Sequence, residues 1–248
     1  MTPNGLDAAD TGGKHATTAA ELAGIMSYCI KKSPQRELFL QITRMQNYKF
    51  EDVDGKRNFS CSNHNAFLSM MEGALTGKTG FTGDAGYCYV GAVERDGRTF
   101  VAALLACGWP NNKGYKWSDT KKLMNYGIEN YEYRDVFQKQ DFPKLAVENG
   151  IPENGGLFET AVTGVKLKAG KEDESIPLLL RKDEKAVVET DLREELKAPV
   201  QAGEEVGTVT YRLGDEIVKQ YPVVAVQTVR EKNIGWYFRK ITDRYLLR

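Results

Sequence analysis

Two apolar runs, Tyr87–Val93 and Thr99–Cys107, flank the turn residues Arg95-Asp96-Gly97-Arg98, and neither run alternates between apolar and polar positions. A hairpin with one wet face alternates with period two, whereas an unbroken apolar run requires cover on both faces of the sheet. That cover must come from helices. Thr18-x-x-Glu21 is a capping-box pattern in front of Leu22, Ile25, Met26, Cys29 and Ile30, which predicts a helix from about Thr17 to Lys32, ended by Ser33-Pro34. Asn65 to Leu75 reads as a second, shorter helix. Ser118-Asp119 reads as the N-cap of a third, with Leu123, Met124, Gly127, Ile128 and Tyr131 as its inner face. Two short apolar runs between residues 38 and 59, broken by Asp54-Gly55, predict a hairpin. Residues 1–133 are therefore expected to form an α/β domain.

Beyond Arg134 the pattern changes to short alternating strands. Val206, Thr208 and Thr210 lead through Leu213-Gly214-Asp215-Glu216 into Ile217 to Val229, and no helical period occurs between 155 and 229. This predicts an all-β, sandwich-like domain over residues 134–230. Residues 231–248 return to helical period. Ile234, Tyr237, Phe238, Ile241 and Tyr245 make one stripe, rimmed by Arg239, Lys240, Arg244 and Arg248. Such an amphipathic helix suits a membrane surface; at ~1.5 Å per residue it is about 24 Å long, too short and too charged for a bilayer core of ~30 Å.

Composition narrows the partners. With 41% hydrophobic and 27% charged residues the chain can bury a core, and 34 Lys+Arg against 34 Asp+Glu give no excess of positive charge for nucleic acid. The segment Met1–Gly5 has neither a basic n-region nor an apolar h-region, so no secretory signal is expected in the chain as written. Cys61-x-x-His64 lacks the second pair that a tetrahedral zinc site needs, and no metal is expected. A Cys88–Cys107 disulfide is not expected either. If Asp96-Gly97 centres a tight turn, Cys88 lies opposite Leu105 and Cys107 is a diagonal neighbour at ~7 to 8 Å, beyond the Cβ separation of about 3.5 to 4.5 Å that a disulfide needs. His15 reads as a turn or cap residue, and neither it nor His64 is taken as a site residue. Asn63 and Asn65 read as loop hydrogen-bonders that hold the approach to Lys78.

The sharpest chemical signal is Gly77-Lys78-Thr79-Gly80-Phe81-Thr82, immediately before the first apolar strand. Three residues alone also fit an ordinary solvated turn. The neighbourhood decides. Pro3-Asn4-Gly5-Leu6-Asp7, His15-Ala16-Thr17-Thr18-Ala19, Ser62-Asn63-His64-Asn65 and Lys78 to Tyr87 resemble, in order and spacing, the low-molecular-mass penicillin-binding D-alanyl-D-alanine carboxypeptidases. Leu196 to Gly203, Val206-Gly207 and Tyr221-Pro222-Val223-Val224-Ala225 resemble the C-terminal β-domain of that family.

The resemblance implies an incomplete β-lactamase/transpeptidase-like domain followed by the β-domain and the tail helix. It implies no metal or organic cofactor, a substrate that is the peptidoglycan stem peptide ending in D-Ala-D-Ala, and β-lactams as ligands of the complete enzyme. It places the protein at the outer face of the bacterial cytoplasmic membrane. Lys78 would hold the substrate's terminal carboxylate with the hydroxyls of Thr79 and Thr82, and Gly80 would let an extended peptide lie against the strand edge. For the cation that family members supply as arginine after the second strand, this chain offers Lys116, or else Lys113; Phe81 stands where the family often has histidine. The family's Ser-x-x-Lys and Ser-x-Asn motifs precede the stretch matched by Pro3–Asp7 and are not among these residues. Ser118-Asp119-Thr120-Lys121 fits the first pattern but follows the Lys-Thr-Gly triplet. No catalytic residue is therefore assigned, and the chain alone is expected to be inactive. The competing expectation is a non-catalytic envelope binding protein derived from the same family.

Overall fold

The computed structural model describes residues 5–245, so Pro3 and Asn4 of the first matched stretch and Arg248 of the tail lie outside the described residues. The chain divides into two compact units, Met1–Glu132 and Tyr133–Arg248.

The first unit opens with a short hairpin, β1 (Ala9–Asp10) and β2 (Gly13–Lys14), followed by helix α1 (Ala19–Lys31). Thr18 accepts a hydrogen bond from the Glu21 N–H, and the Glu21 carboxylate accepts one from the Thr18 N–H, so the capping box forms as the sequence indicates. The chain then departs from the hairpin expected over 38–59. Its first apolar run is helical, α2 (Arg36–Arg44); the hairpin comes later, as β3 (Asn47–Glu51) and β4 (Asn58–Ser62). Leu40, one residue from Phe39 and three from Thr43, turns inward at helical spacing, and burial of that stripe overrides the period-two reading. The helix expected over 65–75 shrinks to one turn, α3 (Phe67–Met70). Met71 is already extended, and Gly73, at φ 81°, turns the chain into the next strand; a Cβ there would meet the Glu94 carbonyl oxygen at 2.3 Å.

Strands β5 (Ala74–Thr82), β6 (Gly86–Arg95) and β7 (Arg98–Leu104) form an antiparallel sheet in the order β5-β6-β7. Asp96 and Gly97, at φ 52° and 72°, make the tight turn that sets Arg95 opposite Arg98 and Tyr89 opposite Leu104. Helices cover both faces, as the unbroken runs require. On one face Met26 and Ile30 of α1 and Leu40 of α2 pack on Ala92; on the other Phe67, Met71 and Met124 pack on Tyr89, Val93 and Ala102. Met124 belongs to α4 (Tyr115–Asn130). Gly114 precedes its first turn, so Ser118 and Asp119 lie inside the helix and do not cap it. The buried stripe of α4 is Lys116, Thr120, Met124 and Gly127, with Leu123 exposed and Tyr131 already in the next strand. Polar residues on that stripe hid its phase from a hydrophobicity pattern.

After Leu104 the hairpin register slips. The Cys107 N–H donates to the Tyr87 carbonyl at 2.7 Å and the Tyr87 N–H to the Gly108 carbonyl at 2.8 Å, with Ala106 at φ 50° absorbing the extra residues. The regular register that set Cys88 opposite Leu105 therefore ends one residue short, and Cys107 stands beside Tyr87. All four cysteines are free.

The second unit is a β-structure built on the hairpin β15 (Glu205–Leu213) and β16 (Glu216–Ala225), turned at Gly214 with φ 57°. With β8 (Tyr131–Asp135), β9 (Leu145–Glu148), β10 (Ala161–Thr163), β11 (Val165–Leu167), β12 (Pro177–Arg181), β13 (Val187–Leu192) and β14 (Leu196–Lys197) it makes a four-stranded sheet, β11-β16-β15-β13, a three-stranded sheet, β10-β9-β14, and the pair β12-β8. Val147 and Leu196 from one sheet and Val209, Tyr211, Tyr221 and Val223 from the other share one core. The phenol of Tyr211 donates to the Gln138 carbonyl at 3.1 Å, so its polar end is satisfied inside that core. Helix α5 (Ile234–Tyr245) follows the β-structure, with Asn233 accepting a hydrogen bond from the Trp236 N–H at 2.9 Å.

Candidate active site

The Lys-Thr-Gly triplet lies within β5, not ahead of it. Lys78 pairs with Val90, Thr79 with Tyr89, Gly80 with Cys88, Phe81 with Tyr87 and Thr82 with Gly86. Successive side chains alternate across the sheet. Thr76 hydrogen-bonds Thr43 of α2, which fixes the side of Thr76, Lys78, Gly80 and Thr82; the rings of Phe81 and Tyr87 pack at a 4.5 Å centroid distance with a 38° tilt, which fixes the side of Thr79 and Phe81. Lys78, Gly80 and Phe81 are exposed, Thr79 and Thr82 half-buried. Because β5 has β6 on one side only among the described strands, its outer backbone groups form an open edge with a cationic residue on it. The Thr82 hydroxyl accepts from the Ala85 N–H at 3.0 Å, closing the turn into β6.

Lys116, the fifth residue assigned from sequence, sits on the first turn of α4 and on the Phe81 side of the sheet. Its ammonium lies 4.3 Å from the centre of the Tyr87 ring and 4.9 Å from that of Trp117. Burial, and then the charge of Lys113, push this lysine below its ordinary range, against an opposing effect of Cys107. The structure thus brings four of the residues together on β5 and holds the fifth beneath Tyr87, the neighbour of Phe81.

Two further candidate nucleophiles are engaged by other groups. The Ser118 hydroxyl lies within helix α4, donating to the Tyr115 carbonyl at 3.1 Å and lying 3.3 Å from the Asp119 carboxylate. The Cys107 thiol donates to Asp119 at 3.7 Å, and burial followed by the Asp119 charge pushes it upward, the opposite of an activated thiol. A cleft of about 640 Å³ beside α1 is lined by His15, Ala16, Thr17, Glu21, Gly24, Ile25 and Tyr28. Its carboxylate, Glu21, is committed to the helix cap, whose hydrogen bonds lower its pKa. Among the described residues no group of three His, Cys, Asp or Glu side chains could hold a metal ion.

Sequence reasoning placed Asn63 and Asn65 correctly in a hydrogen-bonding loop but missed what they bind. The Asn63 amide donates to the carbonyls of Thr43 and Met45 at the end of α2, and the buried Asn65 accepts from the Tyr89 hydroxyl at 2.9 Å. The signal available was the pair Gly77 and Gly91, which face each other across β5 and β6 and leave room for a ring.

Both units resemble known proteins. Residues 1–107 match the family model described as D-alanyl-D-alanine carboxypeptidase, and residues 131–231 the model described as penicillin-binding protein 5, C-terminal domain. The chain is 22% identical over 196 residues to the D-alanyl-D-alanine carboxypeptidase DacF of Bacillus subtilis, covering 79% of this chain and 46% of that protein. It is 31% identical over 127 residues to DacB2 of Mycobacterium tuberculosis, covering 51% and 41%. Its fold is similar to that of penicillin-binding protein 5 from Haemophilus influenzae, with a TM-score of 0.53 at 20% identity over 93% of this chain and 60% of that one. The chain spans about half the length of the curated relatives it matches. The two models, matched in order along the two units, and the D-alanyl-D-alanine carboxypeptidases among the relatives support a low-molecular-mass penicillin-binding carboxypeptidase.

Proposed function

We propose that this chain supplies the substrate-holding part of a serine-type carboxypeptidase that removes the terminal D-alanine from peptidoglycan stem peptides. The observation that carries the reading is the open edge of β5 with Lys78-Thr79-Gly80 on it. An extended peptide can add to such an edge through backbone hydrogen bonds, and Gly80 has no Cβ to hold it off. A terminal carboxylate lying in the plane of the sheet just beyond the edge would meet Lys78 and Thr82 from one face and the Thr79 hydroxyl from the other. Lys116 raises the positive potential at the Phe81 end of the strand from beneath Tyr87. As a point charge it does this without the two-pronged geometry of an arginine. β-Lactams, which carry a carboxylate beside a strained amide, would meet the same groups. Bond cleavage needs an activated nucleophile, which in the family is supplied by the Ser-x-x-Lys motif that these residues do not match in the family's order, so we infer that these 248 residues by themselves bind and do not cleave.

The β-unit and α5 complete the proposal. Helix α5 buries none of its side chains, and Ile234, Phe238, Ile241 and Tyr245 recur at three- and four-residue spacing beside Arg239, Lys240 and Arg244. We read it as an in-plane anchor on an anionic membrane surface, with the β-unit as a spacer and the whole on the extracytoplasmic side.

Titration of the chain with Nα,Nε-diacetyl-L-Lys-D-Ala-D-Ala tests the site. Saturable binding that Lys78→Ala or Thr79→Val weakens tenfold or more is the expected result. Covalent labelling of any residue of this chain by a fluorescent penicillin, or binding indifferent to Lys78→Ala, would overturn the assignment.

A further inference from the structure

Gly77 and Gly91 are direct partners across β5 and β6, and the same phenol ring lies over both. A Cβ built on Gly77 would come within 2.2 Å of the Tyr89 hydroxyl oxygen, and one on Gly91 within 2.5 Å. The ring is fully buried, and its hydroxyl donates to Asn65 at 2.9 Å. Asn65 is itself 6% exposed, and its amide nitrogen has no hydrogen-bond partner, so the Tyr89 hydroxyl is the group that holds this side chain. Tyr89 is also the cross-strand partner of Thr79, and Gly77 immediately precedes Lys78.

An edge strand is fixed to its sheet on one side only, so contacts from beneath decide how firmly its backbone is held. Here the contact beneath the Lys-Thr-Gly segment is a rigid ring laid flat on two glycines and tied at its far end to a loop. We propose that Tyr89, held by Asn65 and admitted by Gly77 and Gly91, is a positioning residue that fixes the backbone of Lys78-Thr79-Gly80. The functional half of this inference rests on the substrate reading above; the structural half does not.

Amide hydrogen exchange of the 248-residue chain tests it with four variants: Tyr89→Phe, Gly77→Ala, Tyr89→Leu and the double variant Gly77→Ala/Tyr89→Leu. Tyr89→Phe keeps the ring and leaves the Asn65 side chain without a hydrogen-bond partner, so exchange in residues 77–82 should quicken roughly tenfold while the amides of α4 and of β15 are unchanged. Gly77→Ala should quicken the same segment, and should add nothing once Tyr89→Leu has removed the phenol. Exchange that rises equally throughout the first unit, or a Gly77→Ala effect that persists in the Tyr89→Leu background, would overturn the proposal. In a second arm, Tyr89→Phe should weaken binding of Nα,Nε-diacetyl-L-Lys-D-Ala-D-Ala about tenfold. If the unmodified chain does not bind that peptide, the substrate reading fails, and the exchange results still decide whether Tyr89 positions β5.

Discussion

Lys116 holds its ammonium 4.3 Å from the centre of the Tyr87 ring, with the stem of the side chain buried against α4's own sheet-facing stripe. The ring face offers a partial negative charge in place of a carboxylate, and it recovers part of the hydration that burial removes.

This geometry gives Lys116 a folded-state pKa below its unfolded one, chiefly through burial. Between those two values the unfolded chain binds more protons than the folded one, so stability rises with pH across that alkaline window. Below it both states are protonated and the cost of the buried charge is constant. Urea midpoints of the first unit measured from pH 7 to 11 should climb more in the parent chain than in Lys116→Met, which keeps the stem and has no charge to lose. Equal slopes would show that the ammonium is solvated in the folded state.

The reciprocal cap of α1 predicts a loss of about 1 kcal/mol for Thr18→Ala, because one N-terminal N–H of the helix loses its side-chain acceptor. Thr18→Ser should recover most of it. Thermal denaturation of the two variants checks the order, and an unchanged midpoint in Thr18→Ala would mean that water caps the helix as well.

Gly127 separates α4 from β7 by less than a side chain. A Cβ there would meet the Phe100 ring at 2.7 Å. Alanine gains roughly 1 kcal/mol of helix propensity over glycine, while overpacking costs about 1 to 3 kcal/mol, so Gly127→Ala should be neutral to destabilising by ~2 kcal/mol. Combined with Phe100→Leu, the same change should become stabilising. Denaturant midpoints of the single and double variants distinguish the two effects.

Deleting residues 233–248 should change the midpoint of the β-unit little, since α5 is exposed except for the half-buried Trp236, Lys240 and Thr242. Co-sedimentation with vesicles containing anionic lipid should disappear with the deletion and fade with salt in the parent chain, since each basic residue near such a surface contributes ~1 kcal/mol at low ionic strength. A deletion that unfolds the β-unit, with no vesicle binding by the parent chain, would make α5 a packing element.

What the sequence by itself determined here are features written in adjacent residues. The Thr18/Glu21 cap, the Asp96-Gly97 turn, the two-sided cover of β6 and β7, the meander of the second unit and the Lys-Thr-Gly segment are each local, and local geometry selects their residue types directly. Tertiary structure decided the rest. Whether Leu40 belonged to a strand or a helix depended on which face found a partner, and Ser118 proved to be inside α4 because the helix starts at Tyr115. The sequence offered Lys116 or Lys113 as the cation after the second strand without showing which is buried, and only the rings of Tyr87 and Trp117, one from β6 and one from its own helix, make the burial of Lys116 tolerable. The Asn65–Tyr89 contact joins residues 24 apart and exists only because two glycines on different strands face each other; no pattern of period two or 3.6 encodes a pairing across strands.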